Sequence, residues 1–191
     1  MEPANCTNIE QLATTALGCR RCGLRAGCRG VVFGKGRPDA DLMFIGEGPG
    51  AEEDRQGQPF VGAAGQLLDK IIFAGGWKPA EVYIANIVKC RPPGNRVPAL
   101  SEAEACRPWL SKQIEFVNPK IIVLLGSVAL QNIIGQESRI TRMRGQWLEK
   151  DGIKIMPTFH PAALLRDETK KRPVWEDIKK VRDLYVQLTV R

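Results

Sequence analysis

The sequence predicts an α/β fold built on a parallel sheet, and three observations carry that expectation. Four short apolar runs rich in β-branched residues, at 42–45, 82–88, 121–125 and 153–159, have the length and composition of buried strands. Stretches with helical spacing lie between them at 63–74, 101–117 and 127–134, and a last amphipathic stretch covers 174–188. Strands that alternate with helices imply crossover connections and hence parallel neighbours. The third observation is the turn directly after the first strand: Gly46-Glu47-Gly48-Pro49-Gly50, running on through Glu53, Asp54 and Gly57 to Pro59-Phe60-Val61-Gly62. A glycine-rich, acidic turn at the carboxyl end of a strand exposes backbone amides and carboxylates where open α/β sheets bind ligands.

Taken in order, the second run leads into Cys90 and then the proline- and glycine-rich loop 91–98. Ser101 followed by Glu104 has the spacing of a capping box and marks a helix start just past Pro98, which puts Cys106 in that helix's early turns. The polar segment 166–172 reads as a loop. The chain shows no internal repeat, low-complexity tract or interdomain linker, so one domain is expected over 1–191.

Composition bounds the function. The 191 residues are 43% hydrophobic and 26% charged, ordinary values for a globular domain. No apolar stretch approaches the roughly 20 residues that cross a bilayer. The start, Met1-Glu2-Pro3-Ala4-Asn5, lacks the pattern of a signal peptide, so a cytosolic location is expected. A net charge of +7 and an isoelectric point near 9.3 admit a polyanionic partner, because clustered cations gain affinity for phosphates by releasing counterions. A dispersed, solvated basic surface would give the same totals.

Six cysteines stand at Cys6, Cys19, Cys22, Cys28, Cys90 and Cys106. A cytosolic chain of this size has no need of disulfides, which makes metal binding the leading question. Cys19 and Cys22 form a CxxC, and a strand end and the following helix can bring Cys90 and Cys106 to the same point. Four thiolates suit either tetrahedral zinc or a 4Fe-4S cluster, and spacing does not separate the two. Arg20, Arg21, Lys89, Arg91 and Arg107 flank these cysteines, and such cations favour thiolates. Cys6, in an amino-terminal tail, and Cys28 are taken as free thiols.

His160 is the only histidine, and it opens His160-Pro161-Ala162-Ala163-Leu164-Leu165-Arg166 directly after the fourth run. It is therefore expected at the same sheet edge as the glycine-rich turn. Asn86 lies within the second run, where a buried amide needs partners or a ligand to satisfy it.

Together, the Gly46-Glu47-Gly48-Pro49-Gly50 turn with residues 53–65, Asn86 ahead of Cys90, His160-Pro161 and the four cysteines resemble a family 4 uracil-DNA glycosylase, the bacterial and archaeal branch with an iron-sulfur cluster. The resemblance spans nearly the whole chain. It implies a three-layer α/β/α fold with a central four-stranded parallel sheet and a structural 4Fe-4S cluster on Cys19, Cys22, Cys90 and Cys106. It also implies a monomeric enzyme that works on chromosomal DNA in the prokaryotic cytoplasm and hydrolyses the bond between uracil and deoxyribose to start base excision repair. A noncatalytic, cluster-bearing DNA-binding module of the same fold is the alternative.

The resemblance also implies roles. Phe60 would stack on a flipped-out uracil, Asn86 would pair with its N3-H and O4, and His160, with amides around Glu47 and Gly48, would stabilise charge at O2. Glu47 and Glu53 would position water or stabilise the cationic sugar, and Glu53 would help exclude the thymine methyl. Leu164, Leu165 and Arg166 would enter or flank the minor groove. Two departures matter: the best-known glycosylase family has an aspartate where Gly48 stands, and the loop 91–96 lacks the histidine that a DNA-trapping relative uses.

Overall fold

A computed structural model describes residues 2–189. The expected domain's first residue and last two lie outside them. In chain order the elements are α1 (Ile9–Leu17), α2 (Leu24–Gly27), β1 (Lys35–Gly36), β2 (Leu42–Gly46), α3 (Ala51–Gln56), α4 (Ala63–Ala74), β3 (Tyr83–Asn86), α5 (Leu100–Val117) and β4 (Ile121–Leu125). They continue with α6 (Ser127–Ile133), α7 (Ile140–Met143), β5 (Leu148–Lys150), β6 (Ile153–Thr158), α8 (Pro161–Arg166) and α9 (Lys171–Thr189).

The sheet has six strands in the order β1-β3-β2-β4-β6-β5 and is mixed, which corrects the expected four-stranded parallel sheet. The four expected strands pair in parallel as its centre, while β1 and β5 add antiparallel edges. These edges were not legible because they are only two and three residues long and largely exposed, so no apolar alternation marks them. Alternate side chains feed opposite faces, as the period of two requires. Met43, Ile45, Ile122 and Leu124 pack under α1, α5 and α6, whereas Leu42, Phe44, Ile121 and Val123 pack under α4, α8 and α9. Helices thus cover both faces.

Helix α1 follows directly on the segment around Cys6 that was expected to be a tail. Asn8 caps it by accepting the Gln11 amide at 2.8 Å, and Ile9, Leu12 and Ala16 bury one stripe. Cys6, just before it, is 5% exposed and in the core. The start of α5 also differs: Ala99 is the capping position and Glu102 accepts the Ala99 amide at 2.8 Å, so the Ser101/Glu104 box is displaced by two residues. Arg96 holds that Glu102 with two hydrogen bonds and fixes the end of loop 91–98. The expected loop 166–172 is only partly a loop, since Asp167 caps a short turn and α9 begins at Lys171, with Pro173 tolerated in its first turn.

Candidate active site

Parallel pairing places Gly46 opposite Asn86, so β2 and β3 end side by side. Strand β6 delivers His160 to the same edge. The turns after these strands bound a cleft of about 430 Å³ whose walls include Glu47, Gly48, Glu53, Phe60, Asn86 and His160. The structure therefore gathers every expected catalytic and substrate-binding residue in one place.

Close packing at the floor requires glycine. A Cβ on Gly46 would lie 2.5 Å from the Phe60 ring and 2.6 Å from Asn86 Oδ1, and one on Gly65 would lie 2.1 Å from the Phe60 carbonyl. Phe60 itself has a φ of 52°, and Lys35 Nζ donates to its carbonyl at 3.0 Å. A left-handed backbone at a bulky residue is unusual and is held here by its surroundings. Asn86 is 1% exposed, and its Oδ1 has no hydrogen-bond partner among the described residues. A Cβ on Gly48 would lie 2.7 Å from Val88, so an aspartate there would have to displace that side chain.

Glu53 lines the cleft, and both of its carboxylate oxygens are engaged by backbone amides. Its Oε1 accepts the amides of Val61 and Gly62 at 2.9 Å each, and its Oε2 accepts the Gly50 amide at 3.1 Å. The carboxylate thereby staples the two halves of the turn and fixes the segment carrying Phe60. Glu47 faces the cleft, and desolvation raises its carboxyl above the ordinary carboxylate range.

His160 caps α8: its Nδ1 accepts the Ala162 amide at 3.1 Å. With that nitrogen an acceptor, a neutral ring carries its proton on Nε2. Desolvation, helped by the charge of Arg166, lowers the imidazole to about 4, so the ring is neutral at physiological pH. Its ring lies 5.7 Å from that of Phe60.

Past the end of β3, Cys19, Cys22, Cys90 and Cys106 line one apolar cavity with Leu24, Lys89 and Trp109. Among the described residues no three His, Cys, Asp or Glu side chains are gathered closely enough to hold one metal ion. A 4Fe-4S cluster attaches each thiolate to a different iron and needs the space between them. The donor set fits such a group: four sulfurs surround one apolar space, Trp109 Nε1 donates to Cys19 Sγ at 3.2 Å, and the Lys89 amide donates to Cys106 Sγ at 3.3 Å. The flanking cations do not outweigh burial, which raises the Cys90 and Cys106 thiols. Cys28 stays outside the cavity lining and donates to the Gly30 carbonyl at 3.3 Å, and Cys6 donates to Thr15 Oγ1 at 3.6 Å. Lys89, 2% exposed, reaches from the cavity to donate through Nζ to the Asn86 carbonyl at 2.8 Å.

Residues 33–179 match the Uracil DNA glycosylase superfamily. A Type-4 uracil-DNA glycosylase from Thermotoga maritima is 46% identical over 170 residues, covering 86% of this chain and 88% of that one. Those from Sulfurisphaera tokodaii and Archaeoglobus fulgidus are 41% and 36% identical, covering 94% and 93% of this chain and 86% and 93% of theirs. The chain belongs to the type-4 uracil-DNA glycosylases.

For a uracil-DNA glycosylase the surface beyond the cleft matters as much as its floor. Leu164 is 2% exposed and packed in the core, which corrects the expectation that it reaches DNA, whereas Leu165 is 51% exposed. The reason is helical geometry: α8 turns one leucine inward against α4 and the next outward. Arg166 does line the cleft. Sequence reasoning missed Asn95 and Arg96, which the loop 91–98 brings to the cleft; the turn residues Pro93-Gly94-Asn95 were the available signal, and Gly94 and Asn95 do take positive φ.

Proposed function

We propose that this glycosylase cleaves the uracil–deoxyribose bond of a flipped-out nucleotide with a neutral His160 as the donor to uracil O2. The observation that carries the reading is the pairing, in one cleft, of an unpartnered buried Asn86 Oδ1 with an imidazole whose Nδ1 is already occupied. A buried acceptor without a partner costs about 1–3 kcal/mol, and the N3-H of uracil supplies the missing donor. Cytosine has no hydrogen on N3 and an amino group in place of O4, so it leaves the amide mispaired; sites of this kind discriminate by about 10⁴-fold. Phe60 supplies the ring face against which the base stacks.

As the bond lengthens, negative charge collects on the departing base and positive charge on the sugar. A preorganised N–H aimed at the oxyanion stabilises the former without reorganisation. Glu47, facing the cleft without an ion-pair partner among the described residues, is our candidate for orienting the attacking water and for balancing the sugar's charge. Glu53 supports catalysis by holding the turn and gives the wall that meets the C5 position its shape. Leu165 and Arg166 lie at the edge where a duplex would be opened, and Arg166 adds a cation for phosphate. A module that only bound DNA would need neither the unpaired amide nor the desolvated imidazole.

Cys19, Cys22, Cys90 and Cys106 would hold a 4Fe-4S cluster, which when bound supplies a rigid cross-link between the amino-terminal segment, the end of β3 and α5. No helix among the described residues is long and apolar enough to cross a membrane, and a DNA substrate together with bacterial and archaeal relatives supports work on the chromosome of a prokaryotic cell. The test of the reading is release of free base from oligonucleotides carrying uracil, cytosine or thymine at one position. Uracil alone is expected to be released.

A further inference from the structure

We infer that Asp177, through Thr158, is a positioning residue for His160. Asp177 and Thr158 are both 0% exposed. Thr158 Oγ1 donates to Asp177 Oδ2 at 2.6 Å, and Arg144 donates to the same oxygen through Nε at 3.0 Å, to Asp177 Oδ1 through Nη2, and to the Pro173 carbonyl at 2.7 Å. Thr158 stands two residues before His160, at the end of β6. The intervening Phe159 is held as well, with the Arg144 guanidinium 5.7 Å and Lys170 Nζ 5.8 Å from its ring centroid.

The backbone around this knot is equally constrained. The Gly126 amide donates to the Thr158 carbonyl, and the Gly145 amide to the Pro157 carbonyl, each at 2.9 Å. Gly145 has a φ of +73°, and a Cβ there would lie 2.5 Å from Asp177 Oδ1, so the carboxylate fits only against a glycine. Lys180 on the same helix as Asp177 donates to the Gly145 carbonyl at 2.7 Å. Helix α9 thus holds the end of β6 directly at Thr158 and, through Gly145, at Pro157 beside it.

Stability alone does not account for a charge pair in this place. Desolvating two ions costs about what their attraction returns, and apolar replacements of such pairs are often neutral or stabilising. What a fully satisfied buried network does specify is geometry. The geometry at stake is the direction of the imidazole, since His160 takes its backbone position from Thr158 and Phe159 and its ring orientation from Ala162.

The inference rests on the assignment of His160 to the cleaved bond, and the test separates the two. Single-turnover cleavage of a uracil-containing oligonucleotide is measured for the wild type, His160→Ala, Thr158→Val, Thr158→Ser and Asp177→Asn. The imidazole ¹H–¹⁵N signals, which come from the chain's one histidine, are recorded for all but the alanine variant. Thr158→Val keeps the shape and the Arg144–Asp177 pair but loses the hydroxyl. It is expected to cut the maximal rate by about 10- to 100-fold, the scale of a ~1 Å misplacement, with the half-saturating substrate concentration unchanged and the imidazole signals shifted. Asp177→Asn is expected to show the same loss, and Thr158→Ser to recover the wild-type rate and signals. Wild-type cleavage and wild-type imidazole signals in Thr158→Val, beside a slow His160→Ala, overturn the positioning role alone. A His160→Ala variant as fast as wild type overturns the underlying assignment and the inference with it.

Discussion

The unpartnered Oδ1 of Asn86 and the occupied Nδ1 of His160 are complementary: one lacks a donor, the other has a proton left to give. Loss of one oxyanion donor costs about 10²- to 10³-fold, so His160→Ala is expected to slow single-turnover cleavage by that factor while substrate binding changes little. The pH dependence comes from two groups moved in opposite senses from neutrality. Desolvation holds His160 at about 4, so the ring stays neutral until well into the acid range. Desolvation raises Glu47, so its protonation comes first as pH falls. If ionised Glu47 orients the water, the rate declines through an inflection above the ordinary carboxylate range, and Glu47→Gln lowers the rate and removes that inflection. His160 also sets a sign for stability: between 6.5 and about 4 the unfolded chain binds a proton that the folded chain refuses, so stability present above pH 6.5 is lost progressively as pH falls toward 4. At this scale the sequence was informative because His160 is the chain's one histidine and Asn86 sits inside an apolar run. The part that Glu53 plays was not legible, since three backbone amides from two separate segments, Gly50 and 61–62, define it.

The turn between β2 and α4 behaves as one unit because Glu53 ties its beginning to its end. Removing the carboxylate strands three amides, two of which directly follow Phe60. Glu53→Ala is expected to lower stability by about 1–3 kcal/mol for the lost acceptor, read as a fall in the denaturation midpoint, and to lower activity as Phe60 loses its fixed backbone. Helix α8 shows how far sequence reading reaches at the level of an element. His160-Pro161 marks its start, yet which of Leu164 and Leu165 is exposed is decided by a 100° step around a six-residue helix. Strands β2 and β4 were legible from the apolar runs 42–45 and 121–125, whereas α1 was not legible because its three buried positions lie among polar neighbours in a short amphipathic stripe.

At the scale of the molecule two chemistries lie near the end of β3: the cleft at the carboxyl ends of β2, β3 and β6, and the cysteine cavity, from which Lys89 reaches the Asn86 carbonyl. This layout predicts a brown protein containing iron, and loss of iron with reduced thermal stability in Cys90→Ser, because the cavity joins segments far apart in sequence. An iron-free, colourless protein after anaerobic preparation would overturn the assignment of those four cysteines. The alternation of strands and helices made the layering legible, and local spacing brought Cys19 to Cys22 and Cys90 to Cys106, while the meeting of the two pairs rests on tertiary packing. Uracil excision by this cleft is tested most simply by base release from a single-uracil oligonucleotide with the purified protein in chelator, alongside matched cytosine and thymine oligonucleotides as controls. Stoichiometric free uracil, an abasic strand and nothing from the controls are expected; intact uracil-containing strands, or equal release from cytosine, would contradict the assignment.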